Sequence, residues 1–201
     1  MANSISSVTT GTGGIVLESV DTSGNTNIKS GGTTIVAVTS TGAAVTGTLS
    51  ASGGIAKASL PTGSVLQVVQ GTYSTQTSTT SNSFVSAGVT ASITPSSASS
   101  KIFVIAATTV YGSTTTDVLT TIFRGDTSTG TNVAGGTAAM STKYNTQASE
   151  PSMVTNVFLD SPSTSSAQLY TFAIKSSVSG QLSYAQTANT MGTITLMEIA
   201  A

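Results

Sequence analysis

The longest strongly apolar run in the chain is Ile102-Phe103-Val104-Ile105-Ala106-Ala107, directly after Lys101. Its β-branched and aromatic side chains favour strands. The run is far shorter than the roughly 18 apolar residues that a membrane-spanning helix needs, so we expect no membrane insertion. A short continuous apolar run predicts a strand that is buried on both faces. The core of a β-protein is therefore expected in the second half of the chain.

Shorter runs of the same kind lie on both sides of this one, with turn-forming residues between them. They predict eight or nine short strands, and hence a β-sandwich head, jelly-roll-like, over residues 63–201. The other strands expected in this part are Ser64–Gln70, one or two marked by Phe84, Val85, Val89 and Ile93, then Asp117–Arg124, Met153–Leu159, Leu169–Lys175, Gln181–Gln186 and Thr193–Ile199.

The first 60 residues have a different composition from the rest. They contain no aromatic residue, whereas the later part contains all ten, and they hold ten of the twenty glycines. The turn-type sequence Leu60-Pro61-Thr62-Gly63 marks the joint. Glycines about every ten residues predict serial short strands, which are Ile15–Val20, Thr26–Ser30, Thr33–Thr39, Ala43–Ser50 and Gly54–Ser59.

Such a segment does not bury enough apolar surface to fold by itself. Ordering costs about 1.5 kcal/mol per residue, and only small aliphatic side chains are available to offset that cost. Copies wound around one another would bury those side chains against their neighbours. We therefore predict that residues 1–62 form an anchoring and trimerising stalk and that the protein is a homotrimer. The alternative is a flexible tail.

The composition excludes several classes of function. Ser and Thr number 34 and 39, whereas charged residues make up 6% of the chain and Cys, His and Trp are absent. Disulfides, thiol chemistry, a Ser-His-Asp triad and imidazole metal sites are thereby excluded. Six scattered basic residues do not form the positive stripe that nucleic acid needs. We expect no cofactor, no metal, no catalytic residues and no nucleic-acid partner.

Two acidic turns and one tripeptide offer weak signals for binding. Arg124-Gly125-Asp126 is the tripeptide that integrins recognise, but a match of three residues is weak, and a strand that closes into a Gly-Asp turn is the better explanation. The turns at Asp21 and Asp126 each supply one carboxylate, whereas calcium loops gather several. An Asp that braces its own turn is the better explanation.

A polysaccharide-degrading enzyme would need two carboxylates that face each other across a groove. After residue 61 the candidates are Asp117, Asp126, Glu150, Asp160 and Glu198, and no spacing selects a pair. Glu198 lies in the apolar final strand, where we expect it to pair with Lys101 or Lys175 or to face a boundary between subunits.

Sugar binding uses aromatic rings and amide groups at the surface. The residues that could supply them, if exposed, are Tyr111, Tyr144, Asn145, Tyr184 and Gln186. The alternative is that most of these rings fill the core, since Tyr is commonly buried.

Several segments of the sequence resemble proteins of tailed bacteriophages. Residues 28–34 (IKSGGTT) and 42–49 (GAAVTGTL) resemble the repetitive N-terminal parts of tail-fibre-like and head-fibre proteins, those of marine phages and cyanophages in particular. Residues 63–69 (GSVLQVV), 93–102 (ITPSSASSKI), 159–162 (LDSP) and 193–200 (TITLMEIA) are similar to a β-domain common in such phages. The resemblance implies a trimeric virion surface protein, and it supplies no catalytic residues.

Met1–Ser6 has neither the basic stretch nor the apolar core of a signal peptide. A hydroxyl-rich exterior without that signal favours a virion protein that is assembled in the host cytoplasm. A bacterial protein exported by another route is the alternative. The leading hypothesis is a short fibre or decoration protein on the virion surface, attached through residues 1–62 to capsid or tail proteins. A polysaccharide-binding adhesin that contacts a host surface glycan comes second, and a tailspike-type enzyme third.

Overall fold

The computed structural model describes residues 26–30, 33–39, 42–48, 55–113, 116–146 and 149–201. The chain divides into two compact units between Ile55 and Ala56, a few residues before the joint expected from the sequence. The segment that precedes the first strand of the second unit is tied to the end of the chain: the Gly63 amide donates to the Ala200 carbonyl (2.8 Å), and the Ala200 amide donates to the Ser64 carbonyl (2.9 Å).

Among the described residues of the first unit, three strands form one antiparallel sheet in the order β1-β2-β3. They are β1 (Thr26–Ser30), β2 (Thr33–Thr39) and β3 (Gly42–Val45). The first two have the bounds that the glycine spacing predicted, and the third ends earlier than the predicted Ala43–Ser50. The homotrimeric stalk itself stays a prediction.

Two other strands expected in this region have different outcomes. Ile15–Val20 lies outside the described residues. The prediction of a strand at Gly54–Ser59 was wrong for the residues that are described, because Lys57–Ser59 is a single 3-10 turn. Among the described residues, none forms a helix long and apolar enough to cross a membrane.

The second unit consists of two antiparallel sheets. Its strands are β4 (Val65–Tyr73), β5 (Thr77–Thr79), β6 (Val85–Ile93), β7 (Lys101–Gly112), β8 (Val118–Arg124), β9 (Thr131–Asn132), β10 (Ser141–Lys143), β11 (Ser152–Asp160), β12 (Gln168–Ser176), β13 (Ser183–Ala185) and β14 (Gly192–Ile199). The long strands lie where the apolar runs predicted them. The short strands β5, β9 and β10 were not predicted.

The strand order is that of a jelly roll. β4 pairs with β14, and β5, which continues β4, pairs with β13, which precedes β14 in the same position of the sheet. β9 and β10 both pair with the same edge of β8. Each such set of strands occupies one position in a sheet, which we call a column, and the domain has eight columns. Numbered along the chain, the columns lie in the order 1-8-3-6 in the larger sheet and 2-7-4-5 in the smaller sheet. Pairing of the first column with the last is characteristic of the double-sheet jelly roll. The predicted all-β, jelly-roll-like sandwich is confirmed.

Alternate residues of the facing strands fill the space between the sheets. On β7 the inward residues Ile102, Val104 and Ala106 are completely buried. The residues between them, Phe103 and Ile105, are partly exposed on the opposite face. The expectation that this run is buried on both faces was wrong for the single chain, because no described segment covers its outer side.

One glycine is required where the two sheets approach at their edge. A Cβ on Gly71 of β4 would lie 1.9 Å from the Thr90 carbonyl oxygen of β6. That distance is far inside van der Waals contact, and the obstacle is backbone, which cannot move aside like a side chain.

We therefore expect Gly71→Ala to lower the free energy of unfolding by about 3 kcal/mol, the upper end of the cost of overpacking. The matched control is Thr72→Ala, the next residue of the same strand, whose side chain is exposed; its cost should be about 1 kcal/mol or less. Urea denaturation of both variants measures this. Equal midpoints would contradict the close approach of β4 and β6.

Candidate functional site

Glu198 is the centre of a buried polar network that we call the Glu198 network. It lies on β14 with none of its surface exposed. Its carboxylate accepts four hydrogen bonds, from the Ser96 amide (2.6 Å), the Ser96 hydroxyl (2.5 Å), the Ser100 hydroxyl (2.8 Å) and the Gln67 side-chain amide (2.7 Å). The network thus joins β4, the turn between β6 and β7, and the last strand.

Burial and hydrogen bonding act in opposite directions on this carboxyl. Burial raises the pKa of Glu198, but the hydrogen bonds from Ser96, Ser100 and Gln67 together outweigh it and hold the pKa below its ordinary value of 4.5. The expected pairing with Lys101 or Lys175 was wrong. Lys175 instead donates to the Thr137 carbonyl and lies 4.5 Å from the centre of the Phe84 ring.

A second network links the two sheets at Asp160 of β11. The Arg124 guanidinium, from β8, donates to both oxygens of the Asp160 carboxylate, at 3.0 and 3.1 Å. The Tyr170 hydroxyl, from β12, donates to the same carboxylate at 2.6 Å. Burial, reinforced by that hydrogen bond, raises the pKa of Tyr170. The tyrosine therefore stays neutral and acts as a donor.

The Arg124-Gly125-Asp126 tripeptide is used in the same structural way. Arg124 is held by Asp160, and Asp126 accepts from the amides of Ser128 (2.8 Å) and Thr129 (2.7 Å) and from both of their hydroxyls. The hydrogen bonds from the Ser128 hydroxyl, which is the largest cause, and from the two amides and the Thr129 hydroxyl together lower the pKa of Asp126 to about 2. The two charged side chains are engaged in the fold, as the turn explanation predicted.

Two of the five residues proposed for sugar contact come together on the larger sheet. Tyr111 of β7 and Tyr184 of β13 stack with their ring centres 4.6 Å apart and their planes 10° from parallel. The exposed Gln76 donates to the Tyr111 hydroxyl at 2.7 Å. Burial, and then the neighbouring Tyr184, raises the pKa of Tyr111 above its ordinary value, although the Gln76 bond lowers it.

The other three residues of that set do not join the pair. Gln186 is completely buried, and its side-chain amide lies among the carbonyls of Thr75, Ala87 and Ala185 and the Thr108 hydroxyl. Its assignment to a ligand surface was wrong, because these groups occupy the amide inside the sandwich. Asn145 is also buried and donates to the Thr116 carbonyl and to Asp117. Tyr144 is 72% exposed and follows β10 of the smaller sheet.

The acidic residues available for chemistry or metal binding are mostly engaged. Asp117, Asp126, Asp160 and Glu198 each accept hydrogen bonds from the chain itself. In the part of the chain that the structure describes, no three His, Cys, Asp or Glu side chains are grouped so that they could hold a metal ion.

Sequence reasoning missed the partners that define these networks. Ser96, Ser100 and Gln67 are common residue types at large sequence separation from Glu198, so nothing in their local pattern marks them. The segments that resemble phage proteins gave one indication of these partners. Residues 63–69, 93–102, 159–162 and 193–200 contain Gln67, the two serines, Asp160 and Glu198, so those segments supply most of the two networks.

No protein-family model matches this sequence, and neither does any curated protein. Among solved structures, the chain is similar to one titled "Structure of infectious bursal disease virus Gx strain", with 14% identity and a TM-score of 0.31. The match covers 68% of this chain and 43% of that chain, so this chain spans less than half the length of the protein that it matches. Similarity at this level does not identify a shared function.

We expect Glu198→Gln to lower the free energy of unfolding at neutral pH by about 2–4 kcal/mol, because the donors around the site lose a charged acceptor. The folded-state pKa of Glu198 lies below 4.5. Its contribution is therefore complete above about pH 4.5 and is lost as pH falls through the folded pKa.

Urea midpoints at pH 7 and pH 3.5 test both statements. The variant and the wild type should differ less at the lower pH. Glu150→Gln removes the same charge outside the network, and its midpoint should stay near that of the wild type. A Glu198→Gln midpoint equal to the Glu150→Gln midpoint at pH 7 would contradict the stabilising role of the carboxylate.

Proposed function

We propose that this chain is a structural protein of a bacteriophage particle: a trimeric short fibre or decoration protein on the virion surface. Residues 1–62 attach it to other capsid or tail proteins and intertwine three copies, and residues 63–201 form the exposed head. The protein is not an enzyme, and it acts without a cofactor.

The observation that carries this proposal is the use of the acidic side chains as braces. Glu198 accepts four hydrogen bonds, and Asp160 accepts from an arginine and a tyrosine on the other sheet. Asp126 braces its own turn. A hydrolase of polysaccharides needs carboxylates that are free to donate a proton or attack a sugar. Carboxylates committed to the fold favour a structural role over a tailspike-type enzyme.

The phage resemblance supports the particle as the setting. The similar segments of the head contain all four residues of the Glu198 network and Asp160 of the second network, so the likeness lies in segments that join the strands of the sandwich. Double-sheet jelly rolls occur in viral capsid proteins and in lectins, and the fold alone does not choose between these roles. The hydroxyl-rich, weakly charged composition suits an exterior that does not adhere by charge.

Electron microscopy of intact particles of the phage that encodes this chain tests the proposal. Gold-labelled antibodies against the full chain should mark regular positions on the outside of the particle, and quantitative mass spectrometry should give a copy number that is a multiple of three. Pre-immune antibodies are the control. If the chain is found in the lysate but not on purified particles, the proposal fails.

A second candidate function, the polysaccharide-binding adhesin, is favoured by the tyrosine pair. Tyr111 and Tyr184 present two partly exposed aromatic rings beside the Gln76 amide. Aromatic surface next to a hydrogen-bonding group is the combination that sugar recognition uses. Such a site could coexist with the structural role.

If the pair binds a glycan, Tyr184→Ala should weaken binding of the full chain to purified bacterial surface polysaccharides by about tenfold, the loss expected for one aromatic contact. Tyr144→Ala, which removes an exposed tyrosine away from the pair, should leave binding unchanged. Surface plasmon resonance measures both. A wild-type chain that binds none of a broad polysaccharide panel would rule this candidate out.

A further inference from the structure

The larger sheet has an outer face with apolar side chains at one end. We call it the outer face: the residues of β4, β14, β7 and β11 that point away from the core. Strand register places Leu159, Phe103, Met197 and Val68 in one continuous row across the four strands. The row on one side adds Val157 and Ile105 and continues with Thr195 and Gln70, and the row on the other side adds Ile199 and Val65 beside Lys101.

The apolar character is local and is not simply a property of strand residues. Four residues further along β7, the corresponding row consists of Thr155, Ala107, Thr193 and Thr72. On the two edge strands the apolar side chains are well exposed, with 57% of Val68, 48% of Val157 and 48% of Leu159 accessible. On the central strands Phe103 and Met197 are partly exposed. Contiguous exposed apolar side chains of this kind mark an interaction surface.

The outer side of the smaller sheet differs from the outer face, because other parts of the chain cover it. Thr121 and Ala173 point outward there, yet both are completely buried, and Phe123 is 8% exposed. Phe84 packs edge-on against Phe123, and the Thr121 hydroxyl donates to Asn132. No segment among the described residues covers the outer face of the larger sheet in this way.

Charge is nearly absent from the outer face. Among its described residues only Lys101 is charged, and it lies at the end of β7 beside Ile199. Depletion of charge at the centre is typical of the buried core of a protein interface. A neutral face also brings no like charges together when it meets an identical face.

We infer that the outer face packs against a neighbouring copy of this chain. This inference rests on the proposed function only in assuming that copies assemble. Two sheet faces with alternating apolar side chains pack about 10 Å apart, as the inner faces of a sandwich do. The outer faces of two copies would therefore present the same kind of apolar surface to each other.

The size of the face fits this occupant. Four columns at about 4.8 Å spacing and nine-residue strands give the whole outer face, threonine rows included, a footprint of roughly 20 by 30 Å. Two such faces would bury about 1,200 Å² in total, which is the lower bound of specific protein–protein interfaces. In a three-fold assembly each face would be divided between two neighbours, so each contact between heads would be about half that size and would add to the contacts proposed for residues 1–62.

Three matched Val→Lys variants of the full chain test the inference. Val68→Lys and Val157→Lys place a charge on opposite edges of the outer face. Val178→Lys makes the same change at a residue of similar exposure (53%) in the loop after β12. Sedimentation equilibrium should show that each of the first two raises the dissociation constant of the assembly at least about tenfold. Val178→Lys should not change it, and all three should keep the wild-type circular dichroism spectrum.

Thiol labelling gives a second readout, because the chain has no cysteine of its own. In the assembled protein, Val157→Cys should react at least about tenfold more slowly with a maleimide than Val178→Cys does, and dilution to monomer should remove the difference. A wild-type chain that is monomeric at all concentrations would overturn the inference. So would slow labelling of Val157→Cys in a monomer, because the chain's own residues would then cover the face.

An assembly that persists in Val68→Lys and Val157→Lys, with rapid labelling of Val157→Cys, would reject this interface while the particle role stands. Conversely, an intact interface in a protein that is absent from purified particles would reject the particle role alone. The two proposals therefore fail separately.

Discussion

A carboxylate enclosed in a β-sandwich is tolerated only when hydrogen-bond donors replace the water it has lost, and the closure of this fold depends on that condition. Glu198 meets it with donors from Gln67, Ser96 and Ser100. These groups belong to the first strand of the jelly roll, the turn between β6 and β7, and the last strand. One interaction therefore joins the two ends of the domain at the place where its first and last columns pair. A fully satisfied buried network of this kind specifies a single arrangement of strands, because any slip leaves a charge or several donors unpaired.

The positions of the long strands followed from patterns that local sequence records, whereas their order in the two sheets comes from the structure. The run at Lys101–Ala106, the alternation in Leu169–Lys175 and the glycine punctuation before residue 60 each predicted an element that is present, because burial and strand period act over a few neighbouring residues. β5, β9 and β10 escaped prediction, since two or three residues that complete another strand's edge carry no period of their own. Gly54–Ser59 failed because a 3-10 turn satisfies the backbone as well as a strand does.

Site prediction was weaker for a different physical reason. Whether a tyrosine or glutamine is exposed depends on which strand lies opposite, and that is a long-range property. Tyr111 and Tyr184 meet because β13 pairs with β7. Gln186, two residues after Tyr184, instead points into the sandwich, where its side-chain amide is hydrogen-bonded to groups of the chain itself. Glu198 was expected to find a cation because charges in apolar strands usually do; serine hydroxyls and a backbone amide met the same requirement without one.

The deployment of charge links the fold to assembly. The chain has 13 charged residues in 201 and a net charge of −1, and Arg124, Asp160 and Glu198 are engaged between strands. The other ten are spread over the rest of the chain, and a protein with a net charge near zero associates readily. A solitary soluble domain would offset an apolar sheet face with charged residues on or around it. Among the described residues of the outer face Lys101 alone is charged, which leaves the face suited to contact with another neutral surface.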